Sequence, residues 1–354
     1  MKVLITGACG FVGSELTRGL IKNGKSPKDI IGIDNLSRRG AWLNREELTG
    51  LGVTVLHGDI RNAADLESFE NIDCVIDAAA NASVMAGVDG KSTSRQLVEN
   101  NLFGTVNLLE LCKRQGASFI LLSTSRVYSI DPLASLEVEV QDKAFTPSGD
   151  TELTGFSPKG ITEEFSTAAP VSLYGATKLS SEQLAMEYGM AFDFPVWINR
   201  CSVMAGAGQF ARADQGIFSF WLHSWKENQP LKYIGFDGQG NQVRDCLHPR
   251  DLIPLLLKQM QTPNDDRPAI INLSGGLQAA MSLAQLSNWC EQRWGTRPVA
   301  VDAAPRPFDL PWVVLDHSLA TQTWGWRPES TLEQVLSEIA DFAETHNHWI
   351  EQSA

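Results

Sequence analysis

Two short stretches place side chains that could do chemistry together. Tyr174-Gly-Ala-Thr-Lys178 sets a phenol and an ammonium four residues apart, which on a helix means one face and neighbouring turns. A charged lysine in that place stabilises a tyrosinate and lowers a phenol pKa that starts near 10, so Tyr174 could act as acid or base near neutral pH. Tyr and Lys at this spacing also arise as a plain surface pair, so the motif depends on its surroundings for weight. The second stretch, Ser123-Thr124-Ser125-Arg126-Val127-Tyr128, offers hydroxyls and a cation directly after the apolar run Phe119–Leu122. A hydroxyl there is placed to hydrogen-bond a sugar hydroxyl or a carbonyl beside the tyrosine. Its simpler use is to cap the loop that follows the strand.

The elements that must position these groups begin at the N-terminus. Lys2–Thr6 reads as a short buried strand, Gly7-Ala-Cys-Gly10-Phe-Val-Gly13 as a tight turn, Ser14–Asn23 as a helix, and Ile30–Ile33 as a second strand ending in Asp34. This is the order of a dinucleotide-binding βαβ unit. Gly7 suits the turn, Gly10 the approach of a pyrophosphate, and Gly13 close helix–sheet packing. The helix N-terminus adds an anion site. Asp34 follows Gly13 at about the 20-residue spacing of a ribose-binding acid. A carboxylate there repels a 2′-phosphate and favours NAD over NADP, while Arg38 and Arg39 pull the other way. An oxidised nicotinamide, itself cationic, would add to the effect of Lys178 on Tyr174.

The alternation continues. Val53–Leu56 reads as a strand running into Asp59-Ile60, Ala63–Phe69 as a short helix, Asp73–Asp77 as a strand entering Ala78-Ala79-Ala80, Thr93–Gln115 as a helix and Phe119–Leu122 as a fifth strand. Such alternation implies an α/β fold, a doubly wound parallel sheet covered on both faces, with ligands at the carboxyl ends of its strands. From 129 to 169 the pattern breaks into Pro, Ser, Thr and Gly; a stretch of that length suggests a lid or active-site excursion. Leu173–Met190 restores a helix and Phe194–Asn199 a strand. Beyond Arg200 the alternation fades into helices at Gly216–Lys226, Arg250–Gln261, Ser282–Arg293 and Thr331–His346, with a short strand at Leu231–Ile234. The expected division is a Rossmann-type domain over 1–200 with a return near 240–262, and a smaller mixed α/β substrate lobe, interleaved, over 201–354.

Composition sets the class. The chain has 354 residues, 43% hydrophobic and 20% charged, with a net charge of −13. That describes a globular protein and argues against nucleic-acid binding through a general basic surface. The six cysteines are scattered without CxxC or Cys/His ligand spacing, so no zinc site or disulfide framework is expected. Cys9 and Cys74 read as buried thiols. His223, His248, His346 and His348 form no metal or catalytic set. No signal peptide or apolar run of about 20 residues is present, which points to the cytoplasm. Phe218, Phe220, Trp221 and Trp225 read either as core or as a wall for stacking a base.

Taken together, the glycine pattern, the Asp59-Ile60 pair, the Ser-Thr-Ser-Arg-Val-Tyr block and Tyr174-x-x-x-Lys178 resemble the extended short-chain dehydrogenase/reductase family, and within it the nucleotide-sugar epimerases and dehydratases. Asp34–Gly40, Asn199–Gly206 and Gln242–Asp251 further resemble the CDP-paratose (CDP-tyvelose) 2-epimerase branch. The resemblance implies NAD as cofactor, a nucleotide-diphosphate sugar (a CDP-sugar favoured) as substrate, and a homodimer. It implies Thr124, Tyr174 and Lys178 as catalytic residues. The cofactor side would comprise Gly7, Gly10, Phe11, Val12, Gly13, Asp34, Asn35, Ser37, Arg38, Asp59, Ile60, Ala78, Ala79, Ala80, Asn101 and Cys201, with Tyr174 and Lys178. The substrate side would comprise Ser125, Arg126, Asn199, Gln215, Arg244 and His248. Asn81 departs from the residue many relatives carry after the alanines, and the 129–169 excursion is longer than usual.

The implied reaction is redox-neutral epimerisation, at C2 for a CDP-paratose-like substrate, through transient oxidation to a ketosugar. Rival readings are a C4 epimerase, a 4,6-dehydratase, a reductase or a non-catalytic dinucleotide binder. Family dehydratases carry an Asp-Glu pair after the catalytic threonine; here Ser125-Arg126 leaves no acid to protonate a departing hydroxyl.

Overall fold

In the computed structural model, which describes residues 1–90, 92–149, 151, 153–263 and 265–353, the first half builds the expected sheet. Its strands are β1 (Val3–Thr6), β2 (Ile30–Asp34), β3 (Thr54–His57), β4 (Cys74–Asp77) and β5 (Ser118–Thr124). Strands Val196–Cys201 and Ile270–Leu273 complete seven, in the order 270–273, 196–201, β5, β4, β1, β2, β3. Every adjacent pair is parallel. The strand order reverses at β1, so the crevice between the carboxyl ends of β1 and β4 is the point where such sheets take ligands.

Strand side chains alternate between two cores. Val3, Ile5, Ile76 and Ile120 point to one face, against Leu16 and Leu20 of helix α1 (Phe11–Lys22), Leu255 and Leu256 of helix Ile253–Gln261, and Trp324. Leu4, Val75, Phe119 and Ile198 point to the other, against Leu108 and Leu111 of helix Gly104–Gln115 and Ala185 of helix Ser172–Phe192. Helix α1 starts at Phe11, three residues before its expected start, and so includes Gly13. A Cβ on Gly13 would lie 2.2 Å from the Gly7 carbonyl oxygen; the glycine is needed for the approach despite its poor helix propensity.

Helix α2 (Ala41–Gly50) is an element without a strong sequence signal, burying only Ala41 and Leu48. The expected helix over 93–115 is one rod with a π turn at Glu99–Phe103. The return to the main layer comes through helix Ile253–Gln261 and strand Ile270–Leu273; Val243–Leu247, inside the 240–262 span expected to return, belongs instead to a smaller sheet with 203–204, 280–282 and 312–313. Phe218, Trp221, Trp225, Leu286, Leu336 and Ile339 form the core beside that sheet.

The 129–169 stretch is structured. It holds a short helix Ile130–Ala134 and hairpins 138–147 and 156–161; Asp150 and Glu152 lie outside the described residues. The Phe145 amide donates to Asn241 O at 2.8 Å, Ser282 Oγ to Lys143 O at 2.6 Å and the Ile161 amide to Val314 O at 2.9 Å. Bonds on both sides make it a brace packed on the smaller sheet, and none of its described residues lines the cavity below; the expected lid is not what is seen. Among the described residues no helix is long and apolar enough to cross a membrane.

Candidate active site

Parallel register puts Cys201 beside Thr124 at the carboxyl ends of adjacent strands. The Ser172–Phe192 helix packs on β5 and carries Tyr174 and Lys178 on the same side. The Tyr174 phenol hydrogen-bonds the Thr124 hydroxyl, and its ring is packed among Ala82, Val84, Ala86 and Leu97. Tyr174 is 6% exposed and Lys178 2%. A cavity of about 440 Å³ opens in front of Thr124 and Tyr174.

The electrostatics differ from the simple picture of a lysine-activated phenol. Burial pushes the Tyr174 phenol up to about 12, and what offsets this is the Thr124 hydrogen bond and the nearby charge of Arg126. Burial also lowers the Lys178 ammonium, and the nearby carboxylates of Asp77 and Glu182 oppose that shift. In this protein Lys178 answers to the carboxylates around it, while the phenol feels the arginine that follows Thr124.

On the cofactor side, Gly7 (φ +59) turns the chain after β1 within 3.0 Å of where its missing Cβ would meet Ala79 Cα. Thr6 Oγ1 donates to the buried Asp77 at 2.7 Å and accepts the Ala78 and Ala79 amides at 3.1 and 3.0 Å. The glycine turn therefore faces the end of β4 with no side chain between them. Phe11 and Val12 lie in the first turn of α1, whose amides have no intrahelical acceptor. The Asp34 carboxylate accepts the Cys9 amide at 2.9 Å and the Leu36 amide at 2.8 Å. It thus clasps the glycine turn to the end of β2, with room for a ribose hydroxyl on its remaining lone pairs. Burial raises its pKa, against those amides. Asn35 donates to Asp59, which Arg61 grips at 2.6 Å and holds down at about 2; the Ile60 carbonyl is bound by Asn107. Arg38, one of the two arginines that pull toward a 2′-phosphate, is hydrogen-bonded to Gln215, and Arg39 is exposed, as is Ser37.

Asn101 sits in the π turn. The widened turn carries its amide to Asn81, accepting from the Asn81 amide at 2.8 Å and donating to its carbonyl at 3.2 Å, and on to Thr177 Oγ1 at 3.2 Å. It ties the end of β4, just past Ala80, to the tyrosine helix.

The cavity wall gathers Ser125, Arg126, Gln215 and Arg244. Phe218, Phe220 and Trp221 line its far end, so these three aromatics are core and wall at once, while Trp225 is core alone. Two residues assigned to the substrate are elsewhere. Asn199 is fully buried and exchanges amide hydrogen bonds with Gln259 at 2.9 and 3.0 Å. His248 accepts the Arg250 amide through Nδ1 at 3.1 Å and caps a turn.

The segment Arg306–Asp309, not among the expected site residues, closes the cavity. Asp309 pairs with Arg244 at 3.1 Å and Phe308 O accepts from Arg126 Nη1 at 3.2 Å. Its signal was slight: a charged Arg-Pro-Phe-Asp run without periodicity. Glu182 was also missed, although it continues the Tyr174–Lys178 face by one more turn.

The arrangement fits a nicotinamide dinucleotide: the turn is cleared by glycine where a Cβ would collide, and the acid stands at the end of β2. A sequence profile described as the NAD dependent epimerase/dehydratase family matches residues 3–274. CDP-paratose 2-epimerase of Salmonella typhi is 28% identical, aligned over 97% of this chain and 99% of that protein. UDP-glucuronate 4-epimerase of Thermodesulfobacterium geofontis is 27% identical over 96% and 95%. Among solved structures, UDP-glucuronic acid 4-epimerase from Bacillus cereus, in complex with UDP-glucuronic acid and NAD, superposes with a TM-score of 0.77 at 27% identity, covering 98% of this chain and 99% of that one. With its sheet order, glycine turn and Thr–Tyr–Lys group, the chain belongs to the NAD dependent epimerase/dehydratase family.

Proposed function

We propose that this protein epimerises a nucleotide-diphosphate sugar, of the CDP-paratose/CDP-tyvelose type at C2, by transient oxidation to a ketosugar and reduction on its opposite face. The observation that carries this reading is that Thr124 and Tyr174 face one cavity, with Lys178 buried one turn behind the tyrosine, and that Ser125 and Arg126 stand in it where a dehydratase needs acids. The CDP-sugar reading leans on the full-length similarity to the Salmonella typhi protein.

Gly7, Gly10 and Gly13 would take the pyrophosphate, Asp34 the adenosine ribose, and Lys178 the nicotinamide ribose. When bound, NAD supplies the acceptor and then the donor of hydride. Tyr174 Oη takes the proton of the sugar hydroxyl and returns it, with Thr124 Oγ1 orienting the oxygen. Burial lowers the Lys178 ammonium and the nearby Asp77 and Glu182 carboxylates oppose that shift, so the lysine answers to the charges beneath the site. Arg244 would meet the diphosphate, and Phe218, Phe220 and Trp221 the base. The ketosugar has to turn before reduction, and a cavity of about 440 Å³ gives it room. Exposed Phe103, Leu173, Met190 and Phe192 on the helices over 94–115 and 172–192 support a homodimer through those faces, in the cytoplasm.

The test is incubation with a panel of nucleotide sugars, following epimers by NMR and NADH by absorbance. Epimer formation without net NADH is expected with wild type, and Tyr174→Phe should lose turnover while keeping bound NAD. Near-normal turnover in that variant would sink the assignment; steady net NADH would make the protein a dehydrogenase or reductase.

A further inference from the structure

A short hairpin of the smaller lobe reaches back across the main sheet. The Arg212 amide donates to Gln215 O at 2.8 Å and the Gln215 amide to Arg212 O at 3.0 Å, which makes Ala213-Asp214 its tip. Behind it the chain is anchored. Gln209 Nε2 donates to Met204 O at 2.8 Å, Gln209 O accepts from Trp349 Nε1 at 2.9 Å, and the Phe210 ring stacks on Trp349. Ahead of it, Gly216 (φ +77) leads into helix Ile217–Lys226. The tip lacks such packing: Ala213 is exposed, and Arg212, Asp214 and Gln215 are only partly buried. Two side-chain hydrogen bonds hold it down. Asp214 accepts from Ser83 Oγ at 2.7 Å, and Gln215 accepts from Arg38 Nη2.

The two anchors lie on opposite sides of the glycine turn. Arg38 follows β2 and Ser83 follows β4, and the sheet places those strands to either side of β1. A segment bonded to both therefore bridges the crevice at the carboxyl end of β1, where a sheet of this kind takes its ligand. One continuous cavity is lined by Val12 in the first turn of α1, by Thr124 and Tyr174, and by Ala213, Asp214, Gln215 and Gly216. The hairpin thus forms a wall of the space that joins the glycine turn to the reaction site.

We propose that hairpin Arg212–Gln215 is a latch across the cofactor crevice, closed by the Ser83–Asp214 and Arg38–Gln215 hydrogen bonds and opened to let NAD in or out. A segment with an anchored base, a left-handed glycine at its far end and a tip held by two polar contacts is the kind that opens locally while the core stays folded. Arg38 then serves the cofactor by fastening its cover, in place of reading a 2′-phosphate. Both latch bonds join protein to protein, so they set how fast the dinucleotide exchanges and leave its affinity alone. The inference goes beyond the proposed function: it rests on the dinucleotide site and holds whichever sugar is turned over.

The test is exchange of bound dinucleotide in the absence of sugar. Protein loaded with NADH is mixed with excess NAD⁺, and the loss of bound-nicotinamide fluorescence gives the release rate. Mixing protein stripped of cofactor with NADH gives the association rate. Ser83→Ala and Gln215→Leu should each speed release and association alike by about tenfold, the scale of one hydrogen bond involving a charged group. The double variant should be faster than either, with the NADH Kd of all three close to that of wild type. Either single variant, if folded, decides the matter. Wild-type release rates in the variants overturn the inference. So does faster release at an unchanged association rate, which would make these side chains direct ligands of the cofactor and not its latch. The measurement needs no turnover, so failure of the epimerisation assay would count against the proposed function and leave this result standing.

Discussion

Glu182 and Arg200 form an ion pair beneath the reaction site, Nη2 to Oε2 at 2.7 Å, with both side chains almost wholly buried. Ser123 Oγ donates to the same carboxylate at 2.5 Å, and Arg200 Nη1 reaches Tyr128 OH, which in turn donates to Asn272 at 2.6 Å. Thr124 therefore follows directly on a residue tied into this network, and the helix bearing Tyr174 and Lys178 is fastened to three strands of the sheet through polar groups. Removing one partner of a buried pair leaves the other charge unpaired, at a cost of about 3–5 kcal/mol. Glu182→Ala should lower unfolding free energy by that amount in urea melts, and Arg200→Met should do the same. The double variant should cost much less than the sum, because neither charge is then stranded.

Thr124 bonds the phenol and lowers its pKa. Thr124→Ala should cut kcat by about 10²-fold, the usual scale for losing one such hydroxyl or amide donor, and move the alkaline shift of Tyr174 further up. Thr124→Ser should keep most of the rate. The comparison is steady-state kinetics across pH for the three proteins, with KM expected to change little.

The glycine turn gives a prediction about the cofactor alone. Alanine at Gly13 would drive its Cβ to 2.2 Å from Gly7 O and 2.8 Å from Ala8 Cα, so the turn must move, and overpacking of this kind costs about 1–3 kcal/mol. Because Asp34 holds the same turn through the Cys9 amide, the displacement reaches the acid as well. Gly13→Ala should weaken NAD binding more than about tenfold by calorimetry, the factor that about 1.4 kcal/mol represents. Gly50→Ala, where the added Cβ meets open space, should leave NAD affinity unchanged.

The elements of the first half were legible because each is short, strongly apolar and bounded by glycine or an acid: β1, β2, β4 and β5 lie within a residue or two of their expected places. Helix α2 was not, since it buries only two side chains and exposes Trp42. Strand Ile270–Leu273 was hidden by its length and by Asn272, a polar residue that survives burial by accepting from Tyr128 and donating to Ile161 O. In the site, spacing placed Tyr174 and Lys178 on one face but was silent about which charges each would meet, because Asp77, Glu182 and Arg126 arrive from other elements or other turns. Asn199 shows the reverse failure: its neighbours matched a motif, yet strand alternation turned its side chain toward Gln259.

Asp245, next to Arg244 on strand Val243–Leu247, gives a pH signature of the folded state. It is 1% exposed, hydrogen-bonded by Ser274 Oγ, and burial raises its carboxyl from 3.8 to about 6. A folded pKa above the unfolded one means that the native state holds the proton more tightly. The stabilisation is fully present below 3.8 and is lost as pH rises through about 6. Two pH units correspond to a few kcal/mol, on the order of 1.4 kcal/mol each. Asp245 by itself therefore draws stability down across that window, while the buried imidazoles of His223 and His248, lowered by burial to about 4 and about 3, push it up, so its share is read as a difference between wild type and a variant that cannot ionise. Asp245→Asn keeps an acceptor for Ser274 but cannot ionise, so its unfolding free energy should rise relative to that of wild type between the two limits. Urea midpoints measured at intervals across the window decide it: parallel curves for the two proteins would mean that Asp245 ionises no harder in the native state than in the unfolded chain.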